Sequence, residues 1–327
     1  MCFHRLVLKR LLLFAFHHSK FRVGKGARFV EDGVRHFHFA NVVDDFEMGI
    51  THIIRGEDHI SNTPRQILIA EAIGAPRPIY AHIPLILAKD RSKLSKRHGA
   101  VSTTEYRDKG YLPEALINYL ALLGWNPGGE QEIFSKDELI KLFSLNKIQK
   151  GGAIFNEEKL RWINREHLLK LSNAEKEKNI KLQLNKKWDI SSEFLSKITP
   201  VIFERIEVWN DIEKMIKDGE FDYFFEKPIY DSKSLLWKKE TDSSNTLEHL
   251  KFIFEIFSKI SAEKLDKDSA KNAIWDYAEQ KGRGSVLWPL RYALSGKEKS
   301  PDPFTLIEIL GKDETLKRIK KAIEILS

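Results

Sequence analysis

Between Ile50 and Leu87 the sequence changes from strand-like to helical character and back, and few folds accommodate that order. Ile50-Thr51-His52-Ile53-Ile54 has the β-branched, apolar content of a strand. Arg55-Gly56-Glu57-Asp58-His59 follows it as a polar loop. Thr63 then reads as a helix N-cap, with Pro64 at the first helical position and Gln66 where a capping box closes. Ile67, Leu68, Ile69, Ala72 and Ile73 supply the apolar residues of that helix, and Gly74, with Pro76 beyond it, stops it. Past Pro78, Ile83–Leu87 reads as the next strand. The order predicts a βαβ unit with parallel strands. Ligands of such sheets gather at the carboxyl ends of the strands. Both polar loops, 55–59 and 88–99, fall at that edge. Upstream, Phe37, Phe39, Val42 and Val43 give a further β-like stretch that ends at Asp44-Asp45.

From about residue 103 the period is helical. Leu112, Ala115, Leu116, Tyr119, Leu120 and Leu123 recur at helix spacing until Gly124, Asn126, Pro127, Gly128 and Gly129 break the chain. Helices are expected at 135–143 and from Asn156, as cap, to Leu171. Residues 172–327 read as helices separated by polar turns, for example 246–260, 262–280 and 303–324. The charged stretch Ser172–Lys181 suggests a boundary near 172. A chain of 327 residues supports two or three domains. With 42% hydrophobic and 31% charged residues it is not a disordered chain. The expected organisation is an atypical segment at 1–33, an α/β portion at 34–102, a helical portion at 103–171 and an all-α region at 172–327.

The net charge of +7 permits a polyanionic partner without requiring one. The single cysteine, Cys2, excludes a disulfide framework and a cysteine-based zinc site, which fits a reducing, cytoplasmic setting. Residues 1–22 carry Arg5, Lys9, Arg10, Lys20 and Arg22 and no acid. The apolar run Leu11–Phe16 is short and is followed by His17 and His18, so an unusual or truncated N-terminus is expected instead of a signal peptide. No stretch approaches the roughly 20 apolar residues of a membrane helix.

Three polar groups can carry chemistry. Arg91-Ser92-Lys93-Leu94-Ser95-Lys96-Arg97-His98-Gly99 packs four cations and a histidine after a strand. Such a loop can hold phosphates and the charge developing on a leaving pyrophosphate, or it can be a solvated basic surface. Arg55 follows a buried strand and needs an acidic partner, either a substrate carboxylate gripped bidentately or the nearby Glu57 or Asp58. Those two acids can bind ribose hydroxyls or cap the helix. Asn41, Asp44 and Asp45 can bind a metal or form a turn, the commoner use. The histidines at 36, 38, 52, 59 and 82 lack metal-ligand spacing and are read as structural or surface residues. No GxxxxGK[ST], GxGxxG, GxSxG or HExxH motif occurs.

Together these stretches resemble glutamyl-tRNA synthetase, a class I aminoacyl-tRNA synthetase. Lys93–Arg97 resembles its KMSKS signature. Phe37 through Asp45 resembles the segment beside its amino-acid pocket. Met48 through Asp58, Ser61 through Gln66, Gly110 through Leu116, Asn118 through Trp125 and Gly152 through Asn164 resemble successive blocks. Thinner likeness continues at Trp288-Pro289-Leu290-Arg291 and Ser300 through Phe304.

The resemblance implies an α/β remnant of a class I synthetase nucleotide-binding domain followed by an all-α C-terminal region. It implies ATP as substrate, with Mg2+, and no protein-bound zinc. The implied partners are glutamate and tRNA-Glu, with tRNA-Gln left open, and the expected protein is a cytoplasmic monomer without membrane contact. Lys93 and Lys96 would act in catalysis by holding the triphosphate. Asp58, Ile86, Lys93, Leu94, Ser95, Lys96 and Arg97 would bind ATP. Phe37, Asn41 and Arg55 would bind glutamate, Phe37 standing where the family usually has tyrosine. Residues 103–171 would contact the tRNA stem, and 172–327 would bind the anticodon. The chain departs from the family in having no HIGH-like motif and no inserted acceptor-binding domain. Two alternatives accompany the ligase reading. One is a tRNA-binding fragment without catalysis. The other is a glutaminyl-tRNA synthetase-like enzyme, whose anticodon region is built of β-barrels and so fits the helical pattern after 172 poorly.

Overall fold

A computed structural model describes residues 34–95, 102–238 and 242–327. The N-terminal segment 1–33, with its apolar run at 11–16, lies outside the described residues, as do Lys96 and Arg97. The described chain forms two compact units. One holds the described residues up to Ile86 together with 145–153, and the other holds 87–144 and 154–327.

The first unit opens with helix α1, Val34–Glu47. This corrects the strand expected over 37–43. Alternation would have placed Phe37, Phe39 and Val43 inside, but the buried pair is His38 and Val42, one helical turn apart, while Phe37 is 54% exposed. Packing of α1 on a second helix overrides the strand preference of the aromatic and β-branched residues. Asp44 and Asp45 therefore sit in the last turn of a helix. Gly49, with φ of 68°, closes it: Ile50 N donates to Asp45 O at 2.8 Å and Gly49 N to Phe46 O at 3.1 Å. These two bonds are a Schellman cap.

Strand β1, His52–Gly56, pairs in parallel with β2, Ile79–Ile83, in the register His52↔Ile79 through Gly56↔Ile83. Between them run a 3-10 turn, Glu57–Asn62, and helix α2, Thr63–Ala72. The expected βαβ order is present, with three local differences. Arg55 and Gly56 belong to the strand, not to a loop. Thr63 is the first residue of α2 instead of its cap, because the 3-10 turn enters the helix directly and Asn62 stands at the cap in helical geometry. Gln66 closes no capping box and is buried, its Oε1 without a partner. The strand expected over 83–87 is displaced: the parallel partner of β1 is Ile79–Ile83, which shares only Ile83 with it. β2 ends at Ile83, Pro84 cannot donate to a ladder, and β3 is only Ile86–Leu87. On one face of the parallel pair Ile54 and Ile79 are 47% and 56% exposed.

The second unit is almost wholly helical. Its first part contains α3 (Thr103–Asp108), α4 (Pro113–Leu122), α5 (Lys136–Leu142), a two-residue strand β4 (Ala153–Ile154, shared at its edge between the units) and α6 (Glu157–Leu169). Asn156 caps α6 as expected, accepting from Lys159 N at 3.2 Å. α4 and α6 pack through a buried polar centre. Asn118 donates to Glu132 O at 2.9 Å, and its Oδ1 accepts from Phe134 N at 2.8 Å and lies 3.0 Å from His167 Nε2. Because Oδ1 can only accept, His167 carries its proton on Nε2.

Then come α7 (Asn173–Leu184), α8 (Ser192–Phe203), α9 (Asn210–Lys217), α10 (Asp222–Phe225), α11 (Ser244–Lys259), α12 (Lys267–Lys281), α13 (Arg283–Ser295) and α14 (Pro303–Leu326). α14 is interrupted at Gly311, whose φ of 75° and ψ of 170° are not helical. One continuous apolar core runs from Leu168 to Leu326. Arg318 lies within it at 5% exposure. It donates to Tyr223 O and Leu294 O, each at 2.6 Å, and to Glu314 Oε1 at 2.8 Å. It thereby serves carbonyls near the ends of α10 and α13 that have no helical partner.

The two helical parts of this unit are stitched at Gly110. Trp209 N donates to Gly110 O at 3.1 Å, and Asn164 bridges Leu112 N, at 2.8 Å, and Glu207 O, at 2.5 Å. Arg161 pairs with Glu207 at 2.5 Å and with Asp211 at 2.9 Å. Gly110 has φ of 82°, and a Cβ there would stand 2.8 Å from Asn210 N. Gly110→Ala is expected to lower stability by about 2–4 kcal/mol, combining a left-handed backbone cost with overpacking, as read by urea unfolding.

Burial holds the His167 pKa below its ordinary 6.5, aided by Lys170 and opposed by Glu114. The unfolded chain therefore takes up this proton first as pH falls. The stability that neutral His167 contributes is complete above about 6.5 and is lost below it. A His167→Gln variant, still able to donate to Asn118, should melt with a flatter dependence on pH between about 5 and 7. An unchanged slope would show that His167 is not the titrating group.

Candidate functional site

At the carboxyl end of β1, Arg55 is half-buried and faces α2 and β2. In the parallel register it stands opposite His82. Its Nη2 donates to Thr63 Oγ1 at 2.7 Å and points at His59 O at 3.5 Å, while its Nε points at His82 Nε2 at 3.4 Å. The Tyr80 ring lies 5.4 Å from the guanidinium carbon. No carboxylate of the described residues pairs with Arg55, so an ion pair with Glu57 or Asp58 is not how this cation is satisfied. Glu57 instead accepts from Leu85 N at 3.1 Å. The Asp58 carboxylate folds back over Gly56.

Thr63 and His82 are residues of this site that the sequence reading did not single out. The sequence pattern presents Thr63 as a cap and His82 as a structural or surface histidine. The signal that finds them is the strand register, which sets His82 across from Arg55. Their surroundings shift the ring chemistry. Burial pushes the His82 pKa below its ordinary range, and Arg55 and His59 push it the same way. Burial pushes Tyr80 up, partly offset by Arg55. A cavity of about 340 Å3 beside His82 is lined by Glu57, Ile60, Pro84, Ile148 and Lys150 among others. Phe37 and Asn41 lie one turn apart on α1, the first exposed and the second half-buried. Ile86 begins β3 and is half-buried. Among the described residues no group of three histidine, cysteine, aspartate or glutamate side chains is placed to hold a metal ion.

The basic loop belongs to the second unit and starts as a tight hairpin. Leu87 and Lys93 form an antiparallel bridge. Arg91 N donates to Ala88 O and Ala88 N to Ser92 O, each at 2.9 Å. Arg91 takes φ of 63°, so the turn is the three-residue kind, a type I turn followed by a left-handed residue. Asp90 accepts from Ser92 N at 2.9 Å and from Ser92 Oγ at 2.7 Å, which fixes the turn. Phe155 N donates to Leu87 O at 2.8 Å. Lys93 is exposed at the base of this hairpin, and Leu94 and Ser95 are half-buried.

In the C-terminal helices cations lie on aromatic faces. Arg291 is 4.8 Å from the Trp288 ring, Lys238 is 4.6 Å from Trp237, and those two rings are 5.4 Å apart. Trp288 is held by a bond from Nε1 to Ser234 O at 3.1 Å.

Residues 28–162 match the family of class I tRNA synthetases (E and Q), catalytic domain, and residues 166–323 match the anticodon binding domain family. The first match begins at residue 28, six residues before the point where the sequence reading placed the resemblance. The chain is similar to glutamate–tRNA ligase of Clostridium acetobutylicum, 42% identical over 297 residues, covering 90% of this chain and 60% of that protein. It is 42% identical over 300 residues to glutamate–tRNA ligase 1 of Fervidobacterium nodosum, covering 91% of this chain and 60% of that protein. The crystal structure of a glutamate tRNA ligase from Elizabethkingia meningosepticum, in complex with its amino acid, matches with a TM-score of 0.75 and 37% identity. That match covers 89% of this chain and 60% of the other. The chain thus spans about 60% of the length of the relatives it matches. No helix of the described residues is long and apolar enough to cross a membrane. The chain thus carries a segment of the class I tRNA synthetase (E and Q) catalytic domain at 28–162 and an anticodon-binding domain at 166–323.

Proposed function

We propose that this chain acts in the ATP-dependent attachment of glutamate to tRNA. The observation that carries this reading is the half-buried Arg55. Its described partners are all neutral, and its Nη1 has no partner among the described residues. A guanidinium in that state is completed by a carboxylate that takes the donors of Nη1. The side chain of glutamate supplies one, with Phe37 and Asn41 as further contacts. Asp58 and Ile86 lie against the nucleotide, and Lys93, Leu94, Ser95, Lys96 and Arg97 hold the triphosphate. Members of this class use ATP, usually with Mg2+.

In the first step an oxygen of the glutamate α-carboxylate attacks the α-phosphorus, the bond to the bridging oxygen breaks, and pyrophosphate leaves with its charge on Lys93 and Lys96. In the second step the tRNA 3′-terminal hydroxyl attacks the acyl carbon and AMP leaves. Positioning and charge stabilisation do most of the catalytic work in such steps. The helices after 172 receive the anticodon, and the Trp237, Trp288 and Arg291 face is the part best suited to stacking bases. Residues 103–171 meet the tRNA stem. The protein works as a monomer in the cytoplasm, on tRNA-Glu and with tRNA-Gln as an open second substrate. The all-helical region after 172 favours this over a glutaminyl-type enzyme.

A second reading is favoured by one specific fact: the chain spans only about 60% of its relatives while containing an anticodon-binding domain. It is a tRNA-binding module without catalysis. Glutamate-dependent ATP–pyrophosphate exchange separates the two, run on the chain alone and with the remaining part of a relative added. Exchange in either arm is expected. Its absence from both, with tRNA binding intact, leaves only the module.

Where exchange is present, Arg55→Ala should raise the glutamate requirement by the equivalent of about 2–5 kcal/mol. An unchanged glutamate dependence refutes the role of Arg55. Lys96→Ala should weaken ATP use more than tRNA binding, and equal loss of both refutes the role of the loop.

A further inference from the structure

The three groups around Arg55 fix more than its place. Arg55 Nε can only donate, and it points at His82 Nε2 at 3.4 Å. Thr63 Oγ1 lies 3.0 Å from the same nitrogen and 3.2 Å from His59 O. His82 Nε2 therefore carries a lone pair, and the ring proton is on Nδ1. Thr63 Oγ1 accepts from Arg55 Nη2 at 2.7 Å, so its own hydrogen goes to His82 or to the His59 carbonyl. Two of the three guanidinium nitrogens are thus committed to neutral acceptors, leaving the third.

We propose that Thr63 and neutral His82 are positioning residues that lock the Arg55 guanidinium so that Nη1 is the end offered to the substrate carboxylate. This rests on the reading of Arg55 as the glutamate-binding residue. The orientation is set without an acidic partner. An internal carboxylate would neutralise the cation and compete with the ligand for the same donors. Thr63 and His82 orient the guanidinium and leave its full charge for the substrate.

The arrangement fails when His82 gains a second proton. Nε2 then becomes a donor facing Arg55 Nε and Thr63, and two cations oppose each other. Arg55, His59 and burial all resist that protonation. The other polar groups facing the ring are Tyr80, stacked at 6.5 Å, and Glu57 and Lys150 in the adjoining cavity. Because burial and the neighbouring Arg55 and His59 lower the His82 pKa, the competent neutral form dominates at neutral pH and is lost in acid. Glutamate affinity should fall there.

The test uses the full chain in two measurements. The first is glutamate binding by calorimetry at about pH 7.5 and about pH 5.5. The second is the 15N-detected state of the His82 ring and of Arg55 Nε–H in the ligand-free protein. Thr63→Val should raise the glutamate Kd about tenfold or more and broaden the Arg55 Nε–H signal, whereas Thr63→Ser should stay within about threefold. His82→Gln keeps an acceptor but cannot titrate, so it should hold its affinity near neutrality and lose the fall in acid. Parent-like glutamate binding and an unaltered Nε–H signal in Thr63→Val would overturn the proposal. So would a His82 ring protonated on Nε2 at neutral pH. If the parent binds no glutamate either alone or with the remaining part of a relative added, the ligand assigned to Arg55 is wrong. The ligand-free Nε–H and ring signals then still decide whether Thr63 and His82 hold the guanidinium.

Discussion

A cation taken out of water must be compensated, and the chain handles this in two opposite ways. Arg318 is 5% exposed and closely partnered: Glu314 offsets its charge at Nε, carbonyls of Tyr223 and Leu294 accept from Nη1, and Nη2 points at the Glu226 carbonyl. Three helices converge on that one side chain, so the C-terminal core depends on it for register as well as for charge. Removing it would leave buried carbonyls unpaired, which is costlier than the loss of an exposed contact. Among the described residues Arg55 has no acid and no full set of partners. Its neutral neighbours restrain it without discharging it. The first arrangement is what a structural arginine needs. The second leaves interaction free energy for a ligand to complete.

Much of the fold was legible because its signals are local. Asn156 as the cap of α6, Gly74 as the stop of α2 and the long helical period of 303–324 each depend on residues within a turn or two. The misreadings come from contacts across the chain. Phe37-His38-Phe39 has strand-like content, yet α1 forms because His38 and Val42 can pack against α2, which a reading of isolated segments does not weigh. Thr63 has the chemistry of a cap, but a 3-10 turn runs straight into the helix, and its hydroxyl is spent on Arg55 instead. Gly311 breaks α14 at the head of the polar run Lys312-Asp313-Glu314, a signal that the helical period on both sides of it masks.

The candidate site was legible to the same degree. Arg55, Asp58 and Lys93 stand where strand ends and a hairpin put them, which motif spacing anticipates. His82 could not be found that way, because its relation to Arg55 exists only through the register of two strands 27 residues apart in sequence. Parallel pairing is non-local, and a sequence states the strands more clearly than their alignment. The exposed face of that pair has a related meaning. Parallel strands are ordinarily covered on both sides, and Ile54 and Ile79 are exposed here in a chain that spans about 60% of its relatives.

If Arg55 holds the substrate carboxylate as proposed, its neutral setting also bears on how the site would tell glutamate from glutamine. The two differ in a terminal carboxylate against an amide of nearly the same shape, so size cannot separate them. Charge can. A guanidinium already paired with an internal acid would donate to an amide oxygen about as well as to a carboxylate oxygen. One held only by a hydroxyl, an imidazole lone pair and a carbonyl keeps its positive charge, and an amide leaves that charge uncompensated in a half-buried place. Discrimination then comes from the cost of the wrong ligand as much as from the gain of the right one. The chemistry that makes Thr63 and His82 suitable holders, polar but uncharged, is the same chemistry that makes the carboxylate the preferred occupant.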